Sequence, residues 1–189
     1  MKLALVHSFT IAPPTLGDTT DILALQSENH VSNLPAETLP NGFVTTQLSS
    51  ETLAQMGAKR GIWTVRDDSG VLAAYTCANP WEFYGDGPFP EAVKALFPLT
   101  MEGHTMTVQN SFQYGPVCVA KPFRGHGVLE RLVETISNHY ACRFEFGITF
   151  IDTRNSRSLA AHERKRGFCR LALLPFEAAT YHVLAFPCR

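Results

Sequence analysis

The chain is poor in charge. Only 17% of its residues are Asp, Glu, Lys or Arg, and 16 basic against 17 acidic residues leave a formal net charge of −1. No broad basic field is therefore available for nucleic acid or for an anionic membrane, and attraction for any phosphate has to be local. Long apolar runs are missing too. The run 3–6 is stopped by His7 and Ser8, too short for the core of a signal peptide. Nothing approaches the ~20 apolar residues that cross a membrane. The cysteines, at 77, 118, 142, 169 and 188, contain no Cys-x-x-Cys pair. An odd, scattered set reads as reduced thiols of a cytoplasmic protein, with neither a disulfide framework nor a metal site expected. Internal repeats and low-complexity tracts are absent as well.

What is present suffices for a packed domain. Hydrophobic residues make up 45% of 189 positions, so one domain spanning 1–189, or one domain with an appendage, is expected, and the strands and helices read along the chain make it of mixed α/β (α+β) class. Residues 1–17 read as an opening strand closed by Pro13, Pro14 and Gly17, with Asp18 as the cap of a first helix carrying Ile22 and Leu25 inward. A second short helix follows Ser49, with Leu53 and Met56 inward. The runs 62–65 and 71–76 flank Asp67-Asp68-Ser69-Gly70 and predict a hairpin. Residues 79–111 form an insertion broken by Pro and Gly and rich in aromatics. It reads either as an aromatic mini-core over one end of the sheet or as a lid over an acceptor substrate, with Trp81, Phe83 and Tyr84 as candidate substrate-binding residues. The apolar set Val128, Leu129, Leu132, Val133, Ile136 and Tyr140 has helical spacing. A buried strand at 147–151, a helix from Asn155 to a stop at Gly167, and two last strands at 171–176 and 181–186 complete the chain.

The chemistry gathers at residues 114–129, YGPVCVAKPFRGHGVL. The β-branched run Val117-Cys118-Val119 enters Arg124-Gly125-His126-Gly127, and a helix begins at Val128. Glycine lets such a turn adopt positive φ and approach a ligand closely, and the free N–H groups of the new helix favour a phosphate. A Rossmann turn would need a third glycine where Glu130 stands, and no Gly-Lys-Ser/Thr follows for a nucleotide P-loop.

These residues resemble the acyl-CoA motif of the GCN5-related N-acetyltransferase (GNAT) family, Gln/Arg-x-x-Gly-x-Gly/Ala after a central strand. Arg124, Gly127 and Leu129 hold its three places, Leu129 where the family has a small residue. A second block, Asn-x-Arg-Ser-Leu-x-x-His-Glu followed by Gly167-Phe168, is similar to the family's last strand–helix–strand unit. The resemblance covers about residues 62–176. It implies a mixed, mostly antiparallel sheet flanked by helices, whose central strands at 117–119 and 148–153 run parallel and splay apart. It implies acetyl-CoA as co-substrate, held by Val117, Cys118, Val119, Arg124, Gly125, His126, Gly127, Val128, Leu129 and Asn155. It implies transfer of an acetyl or other acyl group to a primary amine of a small molecule or peptide, with a backbone N–H of the central strand facing the oxyanion. The alternative is a CoA-binding sensor or interaction module without acyl transfer. The protein is expected as a monomer or homodimer.

Many members of the family carry a tyrosine seven residues after the Asn, as the acid for the leaving thiolate; here that residue is His162. Two roles stay open for it: proton donor, or a histidine packed against the core and satisfied by a backbone carbonyl. Glu82, Glu102, Asp152 and His104 are open candidates for the base. Cys118 reads as a small apolar filler of the central strand.

Overall fold

The computed structural model describes residues 8–15, 17–164 and 167–188. Residues 1–7 of the expected opening strand, and residues 165 and 166 near the expected end of the last helix, lie outside them. The chain opens with β1 (Phe9–Ala12) and α1 (Asp18–Asn29). Asp18 does not cap α1. Gly17 holds that position, and the Asp18 carboxylate instead takes the Thr15 N–H and hydroxyl and pairs with Arg66 of the sheet. Two 3₁₀ turns lead to α2 (Ser50–Ala58), where the Ser49 side chain accepts the Thr52 N–H and caps the helix.

The hairpin follows as β2 (Ile62–Asp67) and β3 (Leu72–Pro80), with Asp67 closing the turn by accepting the N–H groups of Ser69 and Val71. The insertion then builds α3 (Pro88–Lys94) and a small hairpin, β4 (Leu99–Met101) with β5 (His104–Met106). Its turn, Glu102-Gly103, has positive φ at both residues. That is the primed geometry that matches strand twist, but without the Asn-Gly or Asp-Gly wording that announces it in sequence. The central strand is β6 (Ser111–Val119), followed by α4 (Val128–Tyr140), β7 (Phe146–Asp152), α5 (Ser156–Glu163), β8 (Cys169–Phe176) and β9 (Ala179–Pro187).

The main sheet has seven strands in the order β1-β2-β3-β6-β7-β9-β8. Every neighbouring pair is antiparallel except β6 and β7, which are parallel. That pair is joined only at Ser111–Phe146, Phe112–Gly147 and Gln113–Ile148; beyond these β6 runs on to Val119 beside β3 and β7 to Asp152 beside β9, with no pairing between the two. The cause is local. The β3–β6 register shifts between Thr76 and Ala78, so that β6 bulges at Gly115 and Pro116. Gly115 sits at φ +110°, and Pro116 has no N–H to give to a ladder.

Both faces of the sheet are covered. The α1 and α2 residues Ile22, Leu25, Leu53 and Met56 pack with Ile62, Tyr75, Cys77 and Cys118 on one face. On the other, α4 lays Val128, Leu132, Ile136 and Tyr140 against Trp63, Ala74, Phe112 and Tyr114, which is the apolar spacing read from the sequence. The insertion covers the far end of the sheet. Trp81, Val93, Met101 and Met106 join Ile148, Leu174 and Val183 in a third cluster, and the Trp81 indole N–H donates to Ser111 Oγ at 3.0 Å.

Candidate active site

Where β6 and β7 part, the β6 backbone faces open space. Ala120 N–H donates to Ala73 O of β3 at 2.9 Å. By the alternation of a strand, the N–H groups of Val117 and Val119 therefore point away from β3, into the gap. Below them the chain makes a 3₁₀ turn at Lys121–Phe123 and enters the glycine turn. Gly125 has φ +87° and Gly127, the N-cap of α4, has φ +76°. A Cβ added at Gly125 would meet nothing within 4 Å, so its free side looks into space and not into packing. At Gly127 the nearest atom to such a Cβ is Glu130 Oε2, 3.9 Å away. The first turn of α4 thus carries its own carboxylate.

A cavity of about 250 Å³ runs along this face. Its lining includes Val117, Cys118, Val119, Arg124, Gly125, Gly127, Val128, Leu129 and Asn155, so nine of the expected cofactor residues surround one space. His126 is exposed and outside the lining. The Cys118 thiol is buried, and that burial pushes its pKa up to about 12, which makes it a filler at this wall and not a thiolate.

Two side chains act differently from the sequence expectation. Arg124 is engaged by protein: Nε donates to Val119 O at 2.9 Å, one terminal nitrogen to Asn41 O at 2.9 Å and the other to Asn29 Oδ1 at 2.7 Å. It clamps the residues 41–44 loop onto the central strand. Asn155 does a similar task from α5, donating to Phe43 O at 2.8 Å while its oxygen accepts Ser158 N–H and caps the helix. Two groups at this cavity had no signal strong enough to single them out: the 41–44 loop, and Arg157, two residues past the helix cap. Arg157 lies beside Arg124, both within 4 Å of where a Cβ on Gly42 would be. Burial first, and then the neighbouring Arg157 charge, push the Arg124 pKa down.

A second cavity, about 270 Å³, opens on the other side of the same gap. The two share Phe43, Val44, Val117, Asn155, Ser158 and His162. His162 is 1% exposed and sits between them, edge-on to Tyr114 and Phe168. Its Nδ1 lies 2.8 Å from Ser158 O. A carbonyl can only accept, so Nδ1 carries the hydrogen, and the buried Nε2 has no partner. Burial drives the ring pKa down, against a smaller upward pull from that hydrogen bond, so the imidazole is neutral and Nε2 presents a lone pair. Of the two roles left open for His162, the bond to a backbone carbonyl is the one named for a packed histidine, and the neutral ring has at Nε2 a lone pair and no proton to donate.

Trp81, Phe83 and Tyr84 do not line either cavity. Trp81 is core, Tyr84 leans on it at 6.5 Å, and Phe83 packs toward the α1–α2 side beneath Lys59. From the same insertion it is Phe89 that reaches the second cavity. Of the four candidate bases, Asp152 alone lines it. Glu82 is exposed with Arg143, and Glu102 and His104 lie exposed on the small hairpin. Among the described residues no cluster of His, Cys, Asp or Glu suits a metal ion, and no helix is long and apolar enough to cross a membrane.

No family model matches the chain, and no curated protein matches it. Solved structures do. The loading GNATL domain of CurA from Lyngbya majuscula superposes with a TM-score of 0.64 at 14% identity, covering 96% of this chain and 98% of that one. The protein yncA from Salmonella typhimurium, solved with its cofactor acetyl-CoA, gives 0.61 at 13% identity over 96% and 94%. The ribosomal-protein-S18-alanine N-acetyltransferase from Escherichia coli gives 0.60 at 12% over the same shares, 96% and 94%. With its mostly antiparallel sheet, single parallel pair and splay over a glycine turn, the chain has the GCN5-related N-acetyltransferase fold.

Proposed function

We propose that the protein is an acyl-CoA-dependent N-acyltransferase that moves an acetyl group from acetyl-CoA to a primary amine of a small molecule or peptide. The observation that carries this reading is the meeting of two cavities at one unpaired strand edge, with a buried, unpartnered imidazole nitrogen between them. The acetyl-CoA complex of the similarly folded yncA lends support.

The residues suit the cofactor. A pyrophosphate is matched by the positive-φ glycines, the N-terminus of α4 and the Arg157 guanidinium. The apolar wall of Val117, Val119 and Leu129 suits a pantetheine arm. When bound, acetyl-CoA supplies the acyl group as an activated thioester. The protein does the rest. The Val117 and Val119 N–H groups face the gap and can hold charge that develops on an acyl oxygen. The second cavity positions the amine. An alkylamine is almost wholly protonated at neutral pH, so it must lose a proton before it attacks. Nε2 of His162 is placed to accept a proton at that junction.

A thiol-release assay with acetyl-CoA and a mixed library of amines tests the reading. Release that depends on amine, together with an acetylated product, is expected. Acetyl-CoA binding with no release across the library would instead favour a CoA-binding sensor or interaction module.

A further inference from the structure

The second cavity has a wall of aromatic rings drawn from separate parts of the chain. Phe89, in the first turn of α3, meets Phe150 of β7 at 5.4 Å, Phe176 of β8 at 5.1 Å and Tyr181 of β9 at 5.7 Å. All of them line the cavity, and none is fully buried. Rings meeting only to fill a core would be covered; these keep part of their surface on the space. Asp152 also lines the cavity, its side chain 2% exposed, and Glu177 stands exposed at the rim. Burial pushes the Asp152 pKa up, but hydrogen bonds from the Arg154 guanidinium and N–H outweigh that and hold the carboxyl below its ordinary value. Among the described residues, neither Arg154 nor any other Arg or Lys is part of the lining. With His162 neutral, the ionised groups among the described lining residues are carboxylates, Asp152 paired with Arg154 behind the wall and Glu177 at the rim.

Resting on the reading that this cavity takes the acyl acceptor, we infer that the acceptor is a cationic amine with a flat apolar body and no carboxylate, of the arylalkylamine class. Flat rings are met by edges and faces of other rings, and an ammonium is drawn by both the π faces and the carboxylates. An amino acid of the same body brings a carboxylate that meets no open cation among the described lining residues: Arg154, behind the wall, is already taken up by both oxygens of Asp152, and the exposed Glu177 carboxylate at the rim repels it. The ammonium sheds one proton to solvent by way of His162 Nε2. The N–C bond then forms as the C–S bond breaks, and the second amine proton reaches the departing sulfur by way of His162 Nε2.

Phenethylamine, phenylalanine and n-butylamine separate these features, since the second adds only a carboxylate and the third lacks the ring. With acetyl-CoA present, thiol release should show kcat/KM for phenethylamine on the order of 100-fold above phenylalanine and about 10-fold above butylamine. In Phe89→Leu the advantage over butylamine should shrink toward unity while acetyl-CoA affinity holds. Equal use of phenylalanine, or of butylamine, overturns the inference. If no amine gives thiol release, calorimetric titration of the same three compounds into the CoA-loaded protein decides. Binding in the same order upholds the cavity's chemistry and rejects only the transfer reaction; absence of phenethylamine binding overturns the inference itself.

Discussion

His162 gives its Nδ1 hydrogen to the carbonyl of Ser158, 2.8 Å away and one helical turn back on α5. That bond sets the tautomer, and the tautomer sets what the other nitrogen can do. Nε2, buried between the two cavities, can accept a proton and has none to offer while the ring is neutral.

The first prediction follows from that sign. His162→Phe should cut turnover by about 10²–10⁴-fold and leave acetyl-CoA affinity nearly unchanged. The wild-type rate should fall as pH drops through the lowered pKa of the ring, because protonation removes the acceptor. The Phe variant should lose this acidic limb. Stability moves in the same direction. A histidine with a depressed folded pKa contributes fully above its unfolded value of about 6.5, and the contribution is lost as pH falls below it. Thermal melts from pH 8 to pH 5 should show the loss in wild type and less of it in the variant. An unchanged rate in a folded variant would end the catalytic claim.

The two arginines of the first cavity should separate. Arg124 ties Asn29, Asn41 and Val119 together, so Arg124→Ala should lower unfolding stability by roughly 1–3 kcal/mol and loosen acetyl-CoA through the freed loop. Arg157→Ala should leave stability within about 0.5 kcal/mol. It should weaken acetyl-CoA by an amount typical of a charge-assisted hydrogen bond, roughly 1.5–3 kcal/mol. Paired denaturation and calorimetric binding curves check both.

The charge at the start of α4 should tune affinity in opposite directions. Gly127→Asp puts an anion where a pyrophosphate would lie, on a residue at φ +76°, and acetyl-CoA binding should vanish while circular dichroism stays native. Glu130→Gln removes the carboxylate already placed in that turn and should tighten binding several-fold, most clearly at low salt. Weaker binding in Glu130→Gln would mean the carboxylate organises the turn for its ligand.

A fourth prediction concerns the start of the splay. A Cβ on Gly147 would come within 2.3 Å of Phe186 Cζ and 3.0 Å of Phe112 Cζ. Gly147→Ala should therefore destabilise the fold by about 1–3 kcal/mol through overpacking, read as a lower denaturation midpoint with an unchanged m value.

Local patterns made much of this legible. The apolar spacing of α4 and the glycine turn at 124–127 are short-range signals, and both appear where the sequence put them. The splay needed two strands distant in sequence, and only the resemblance to a known fold supplied it. The aromatic insertion divides between its two readings, a mini-core over the end of the sheet and a wall of the second cavity, for a physical reason. Composition shows that Trp81, Phe83, Tyr84 and Phe89 are apolar and flat, but not which face of the sheet each meets. Trp81 turned inward to Ser111 while Phe89 turned to the cavity. His162 was found by its place in a motif. Its role depended on which nitrogen meets the Ser158 carbonyl, a fact of helix geometry that no spacing rule carries.

The most direct test of acyl transfer at the splay is a single-turnover measurement. Protein loaded with a substoichiometric amount of radiolabelled acetyl-CoA is mixed with an excess of the amine library, and label is followed from thioester to amide. The expected result is complete passage of label into amide in the wild type, no passage in Gly127→Asp, and slow passage in His162→Phe. Label that stays on CoA in the wild type, with acetyl-CoA shown to be bound, would contradict the account.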